Sequence, residues 1–194
     1  MSGELETRTK HARRTYIFMT NRLPNAYSMN SNEWLDRGGA ERIMPLKLKS
    51  EMPNIPDTQN WYNDRITKND LIGEKPALVQ FWSISCDLCK QAIPKVNKLC
   101  EELKDTITTL SVHMPRSAKD QDIEKVKKTA HKLGIKQPIF IDNNHHLTDA
   151  FQNEYVPTYF IFDKDGKLYY VQSGGGGIRL LRKKIHRVLW EQEN

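Results

Sequence analysis

Cys86-Asp87-Leu88-Cys89 stands where an apolar run ends and a helical period begins, and this constrains the chain more than any other feature. Upstream, Ala77-Leu78-Val79-Gln80-Phe81-Trp82 has the pattern of a buried strand, with Lys75-Pro76 marking its start. Downstream, Ala92, Ile93, Val96, Leu99, Cys100 and Leu103 recur at helical spacing over residues 86–103. A cysteine at such a junction meets the unpaired N–H groups of the first helical turn, whose partial positive charge favours a thiolate. The second cysteine lies one turn on, within reach of a disulfide. The first thiol is thereby suited to attack a disulfide and the second to resolve the mixed disulfide that results. Zinc sites share this spacing, so the four residues alone leave metal binding open.

The remaining chain continues the alternation. Ile107 to Met114 reads as a strand. Ile123, Val126, Ala130 and Leu133 form a helical stripe stopped by Gly134, and Pro138 introduces the short strand Ile139-Phe140-Ile141. Leu147–Tyr155 is expected to be helical. Thr158–Phe162 and Leu168–Val171 flank Asp163-Lys164-Asp165-Gly166-Lys167, a hairpin signature, and Ile178, Leu181, Ile185, Val188 and Leu189 mark a terminal amphipathic helix. Strands alternating with helices and closing in a hairpin imply an α/β fold, a mixed sheet with helices on both faces.

Charge and length narrow the function. Lys and Arg number 30 against 24 Asp and Glu, for a net charge of +6, but without the dense basic clusters that phosphate binding favours, so no nucleic-acid partner is expected. No apolar run approaches a membrane span, and Tyr16-Ile17-Phe18-Met19 is too short for a secretory core, so neither membrane nor export is expected and the cytoplasm is the expected location. Three cysteines make no disulfide framework. Residues 1–43 lack any apolar period and are expected to be a disordered extension or an upstream segment from a start assigned too early. Residues 44–194, opening at Met44-Pro45, are a natural single domain.

The segment from Phe81 to Lys90, with Pro94 five residues beyond Cys89, resembles the active-site segment of the thioredoxin superfamily, and Tyr155-Val156-Pro157-Thr158 resembles its cis-proline loop. The helix around 119–133, inserted after the second core strand, points to the TlpA/ResA-like branch. The resemblance covers about residues 46–191 and implies a thioredoxin-like fold and a thiol-disulfide oxidoreductase, expected to be a reductase. It implies Cys86 as nucleophile, Cys89 as resolving thiol, and a redox-active Cys86–Cys89 disulfide. It also implies a substrate face of Trp82, Val156 and a cis Pro157. Protein disulfides would be the substrates, with an unidentified electron donor and no cofactor, and a monomer is expected. Cys86 is expected to be exposed, and Asp87 to tune the redox potential through its charge. The alternatives are a thiol peroxidase, with Ser83 three residues before Cys86, and a metal-binding or docking module.

Two departures from the family pattern stand out. Thioredoxins carry a buried aspartate where this chain has Gln80, and the glutamate that ResA-like relatives use falls nearest Arg116, so a buried carboxylate is expected to be absent. Other candidates read more simply. Cys100 fits a buried inert thiol, and His113, His145 and His146 lack metal-ligand spacing. Gly174–Gly177 reads as a hinge or a close backbone approach. The basic face of Arg179, Arg182, Lys183, Lys184 and Arg187 reads as solvated.

Overall fold

The computed structural model describes residues 46–193, so the expectation for residues 1–43 lies outside the described residues. Six strands form one mixed sheet: β1 (Trp61–Tyr62), β2 (Ala77–Trp82), β3 (Thr108–His113), β4 (Ile139–Ile141), β5 (Thr158–Phe162) and β6 (Leu168–Ser173). Their order is β1-β4-β3-β2-β5-β6. β2, β3 and β4 run parallel, while β1, β5 and β6 pair antiparallel at the two sides. The helices are α1 (Lys68–Leu71), α2 (Asp87–Glu102), α3 (Ile123–Lys132), α4 (His146–Ala150) and α5 (Ile178–Glu193), with a short 3-10 helix over Ala118–Gln121.

Period-two alternation sorts the side chains of β2. Val79 and Phe81 point into a core shared with Leu71 of α1, Leu147 of α4 and Phe160 and Phe162 of β5. Leu78 points the other way, against Val96 and Leu99 of α2 and Leu181, Ile185 and Val188 of α5. Trp82, on that second face, joins Cys86, Cys89 and Ile93 with Val126 and Ala130 of α3. Helices therefore cover both faces, and the inserted α3 closes the end of the sheet where the cysteines lie. Among the described residues no helix is long and apolar enough to cross a membrane.

The expected helix over Leu147–Tyr155 is shorter: α4 stops at Ala150, and Gln152 takes φ +52°. Asp142 caps the first turn of α4, accepting from Thr148 N and Oγ1, both at 2.7 Å, and the left-handed Gln152 closes its end, with Asn153 N bonding the Thr148 carbonyl at 2.9 Å. The hairpin forms at Asp163–Lys167, with Gly166 at φ +72° and an added Cβ there falling 2.8 Å from Ile72 Cγ2.

Candidate active site

Cys86 is the N-cap of α2, in extended conformation, and is joined to Cys89 by a disulfide with Cα atoms 5.2 Å apart. Its Sγ accepts a hydrogen bond from Cys89 N at 3.0 Å, occupying one of the donors a helix start leaves free. Pro94, inside α2, removes one backbone donor, the one that would reach the Lys90 carbonyl. On its other side Cys86 Sγ lies 3.6 Å from the Val156 carbonyl oxygen. A disulfide sulfur has no proton to give, so that approach becomes a hydrogen bond only in the reduced thiol. The Val156–Pro157 peptide is cis, and Asn153 Nδ2 and Thr158 Oγ1 hold the preceding Tyr155 carbonyl at 2.9 and 2.8 Å.

Three sequence expectations change here. Cys86 is only 3% exposed and Cys89 0%, because the disulfide is turned toward the Val156 loop and the cluster around Trp82. Trp82 is fully buried, its ring 5.2 Å from that of His113, so it backs the site from within and offers no surface to a substrate. Next to the cysteines and to Val156 in the chain, the exposed large apolar side chains are instead Leu88 and Tyr155. Gly175 lies against Leu88, where an added Cβ would come 3.1 Å from the Leu88 carbonyl oxygen.

The third change concerns the carboxylate. Gln80 is buried and cannot titrate, but Asp120 is buried as well, only 3% exposed. Its Oδ2 accepts from Ser85 Oγ at 2.6 Å, Arg116 N at 3.0 Å and Ser83 Oγ at 3.1 Å. Burial pushes the Asp120 carboxyl up, yet the hydrogen bonds and the nearby His113 more than offset it and hold the pKa below the ordinary value. His113 Nε2 accepts from Ile84 N at 3.4 Å, and burial takes its pKa down to about 4 against the attraction of Asp120. The visible signal for this cluster was the pair of hydroxyls, Ser83 and Ser85, ahead of Cys86. Both are 35 or more residues from the aspartate that binds them. With its hydroxyl spent on Asp120 and fully buried, Ser83 is not placed to assist a peroxide at Cys86.

The remaining candidates fall elsewhere. Asp87 is exposed and pairs with Lys90 Nζ at 3.0 Å. Arg116 Nη1 lies 3.5 Å from the Ser85 carbonyl oxygen. Cys100 is a free, buried cysteine whose thiol is pushed up to about 11 by burial, with a bond from Gln137 acting the other way. His145 and His146 begin α4, and no group of three or more metal-ligating side chains gathers among the described residues. On α5, Arg182 pairs with Glu102, Arg187 with Glu191, and Lys184 sits over the Tyr170 ring.

A match to the AhpC/TSA family runs over residues 48–171. The thiol-disulfide oxidoreductase YkuV of Bacillus subtilis is 50% identical over 148 residues, 76% of this chain and all of that protein. The thiol-disulfide oxidoreductase ResA of Bacillus thuringiensis is 28% identical over 123 residues, 63% of this chain and 68% of the relative. The solution structure of a thioredoxin-like protein in the oxidized form superposes with a TM-score of 0.70 at 50% identity, covering 75% of this chain and 99% of that one.

Proposed function

Since the chain belongs to the AhpC/TSA family of thioredoxin-like proteins and is a thiol-disulfide oxidoreductase, we propose that it reduces disulfides of protein substrates in the cytoplasm, with Cys86 as nucleophile and Cys89 as resolving thiol. The asymmetry of the two sulfurs carries this reading. Cys86 Sγ already accepts the Cys89 N–H at 3.0 Å, a donor that stabilises a thiolate, and Cys86 keeps the little exposure the pair has.

The chemistry balances as two exchanges. The Cys86 thiolate attacks one sulfur of a substrate disulfide, forming a mixed disulfide and expelling the other sulfur as a thiolate. Deprotonated Cys89 then attacks Cys86 Sγ, closing the Cys86–Cys89 bond and releasing the second substrate thiolate. Two electrons pass to the substrate, and an external dithiol returns them in a separate exchange. The Val156 backbone beside Cys86 suits pairing with an extended substrate segment, between the exposed Leu88 and Tyr155. A dithiol kept in its working form by such a donor fits a reducing compartment, which is why the cytoplasm is proposed.

Equilibration with glutathione buffers tests the direction of exchange. We expect a potential nearer to thioredoxin's, about −270 mV, than to DsbA's, about −120 mV. A value more oxidising than about −180 mV would make the protein a disulfide donor instead. Trapping with Cys89→Ser in cells, followed by identification of the captured proteins, names the substrates.

A further inference from the structure

We propose that Asp120 is a positioning residue of the exchange reaction, clamping the Ser83–Cys86 loop through two hydroxyls and holding a negative charge beside it that restrains formation of the Cys86 thiolate. The proposal rests on the reading of Cys86 as the nucleophile.

A local role does not account for the network. Asp120 N bonds Ser117 O and Asp120 Oδ2 takes Arg116 N, which already closes the turn that starts the 3-10 helix. The same oxygen also reaches back 37 and 35 residues to Ser83 and Ser85. Those residues bracket the turn leading into α2: the Ser83 carbonyl accepts the Cys86 N–H at 3.1 Å, and Ser85 is bonded covalently to Cys86. One carboxylate oxygen therefore fixes both sides of the tripeptide that delivers the nucleophile.

The position is also electrostatically costly. A buried carboxylate is retained only where donors compensate it, and here two of the three donors are hydroxyls supplied by the active-site loop. Their bonds stabilise the anion without neutralising it. The charged and titratable groups gathered around it are His113, neutral near pH 7, and Arg116, whose guanidinium approaches the Ser85 carbonyl. A fixed negative charge close to a thiol opposes its ionisation, and a less stable thiolate makes the disulfide harder to reduce. Asp120 thus acts through Ser85 and the loop, touching neither sulfur, and biases the pair toward the reducing side.

The test uses the full chain with Asp120→Asn, which keeps the shape and an acceptor but removes the charge. The readouts are the pH profile of Cys86 alkylation by iodoacetamide, with the labelled peptide identified by mass, and the potential in glutathione buffers. We expect the alkylation midpoint to fall by about one pH unit, raising the rate below the midpoint about tenfold, and the potential to become more oxidising. Asp122→Asn, the same charge change at the exposed N-cap of α3, should leave both readouts at the parent values. Ser85→Ala removes the 2.6 Å bond and keeps the charge, so it should not speed alkylation. Should Asp120→Asn fail to fold, Asp120→Ser is expected to shift both readouts in the same direction. Label on Cys86 with an unchanged profile and potential would overturn the proposal alone. An equal acceleration by Ser85→Ala would overturn it too, by reducing the effect to loosening of the loop. Label appearing first on Cys89 or Cys100 would overturn the assignment of the nucleophile beneath it.

Discussion

Helix α2 carries a cysteine near each end, and the two ends treat a sulfur in opposite ways. At its start, Cys89 meets the Cys86 sulfur with a backbone N–H, and the loop hydroxyls of Ser83 and Ser85 are bound by Asp120. Toward its end, Cys100 is buried among Leu99, Leu103 and Tyr159. Across the sheet beneath it, Gln80 pairs in register with Ser111 and Tyr159. Gln80 Nε2, Ser111 Oγ and Tyr159 OH have no hydrogen-bond partner among the described residues. Burial raises the pKa of both Cys100 and Tyr159. The same residue type on one helix becomes a redox centre or an inert core group according to which backbone donors reach it.

The largest expected effect breaks the redox end outright. Cys86→Ser should abolish disulfide reduction, and Cys89→Ser should abolish turnover while leaving a stable mixed disulfide. Insulin reduction by the full chain, with gel analysis of the trapped adduct, checks both. Multiple turnovers by Cys86→Ser would mean that another thiol attacks.

The next effect measures the contrast between the ends. A rise from 9.0 to about 11 lowers the thiolate fraction of Cys100 near neutral pH about a hundredfold. In reduced protein Cys86 should therefore label at least about a hundred times faster than Cys100, and Cys100→Ala should leave reduction unchanged. Comparable labelling rates would show that the C-terminal end of α2 opens.

What the sequence made legible follows the same division between local and distant causes. Strand β2, helix α2 and the CxxC junction are written in local periodicity, and the Asp163–Lys167 hairpin in turn residues, so each appears where expected. β1 is two residues long and exists through its pairing with β4, 77 or more residues on, which no local pattern announces. The helix expected over 147–155 ends at Ala150 because Gln152 turns left-handed and Asn153 N bonds the Thr148 carbonyl, a reversal that apolar periodicity does not weigh. Asp120 is not legible in the sequence because the family pattern points only to the positions of Gln80 and Arg116. The buried carboxylate lies instead in the inserted segment and reaches the loop through hydroxyls.

A smaller effect sharpens the account of the redox end through pH. The unfolded chain takes up a proton at His113 below about pH 6.5, whereas the folded chain does not until about pH 4. Protonation thus favours the unfolded state, so stability should fall as pH drops from 6.5 and the loss should level off near 4. The full displacement corresponds to about 3 kcal/mol. Asp120, whose pKa is depressed, acts in a separate window: its contribution is present above about 3.8 and lost below it. Urea unfolding at half-unit steps between pH 4 and 7 should show the slope in the parent and a shallower one in His113→Asn. Equal slopes would mean that His113 is hydrated in the folded protein.

The smallest effect concerns Asp87, the residue beside Cys86. Its charge opposes ionisation of Cys86, so Asp87→Asn should move the potential upward. But the side chain is 84% exposed, and Lys90 Nζ sits 3.0 Å from its carboxylate, so solvent and a counter-charge both weaken its field at the sulfur. The shift should stay below about 30 mV, the size of a tenfold change in the exchange constant, and below that of Asp120→Asn. Lys90→Ala should act oppositely, because it leaves the Asp87 charge unpaired and the thiolate less favoured. Measuring the three variants in one glutathione series orders the two carboxylates. If Asp87→Asn moved the potential more than Asp120→Asn, the exposed charge would govern the site and the buried one would be structural.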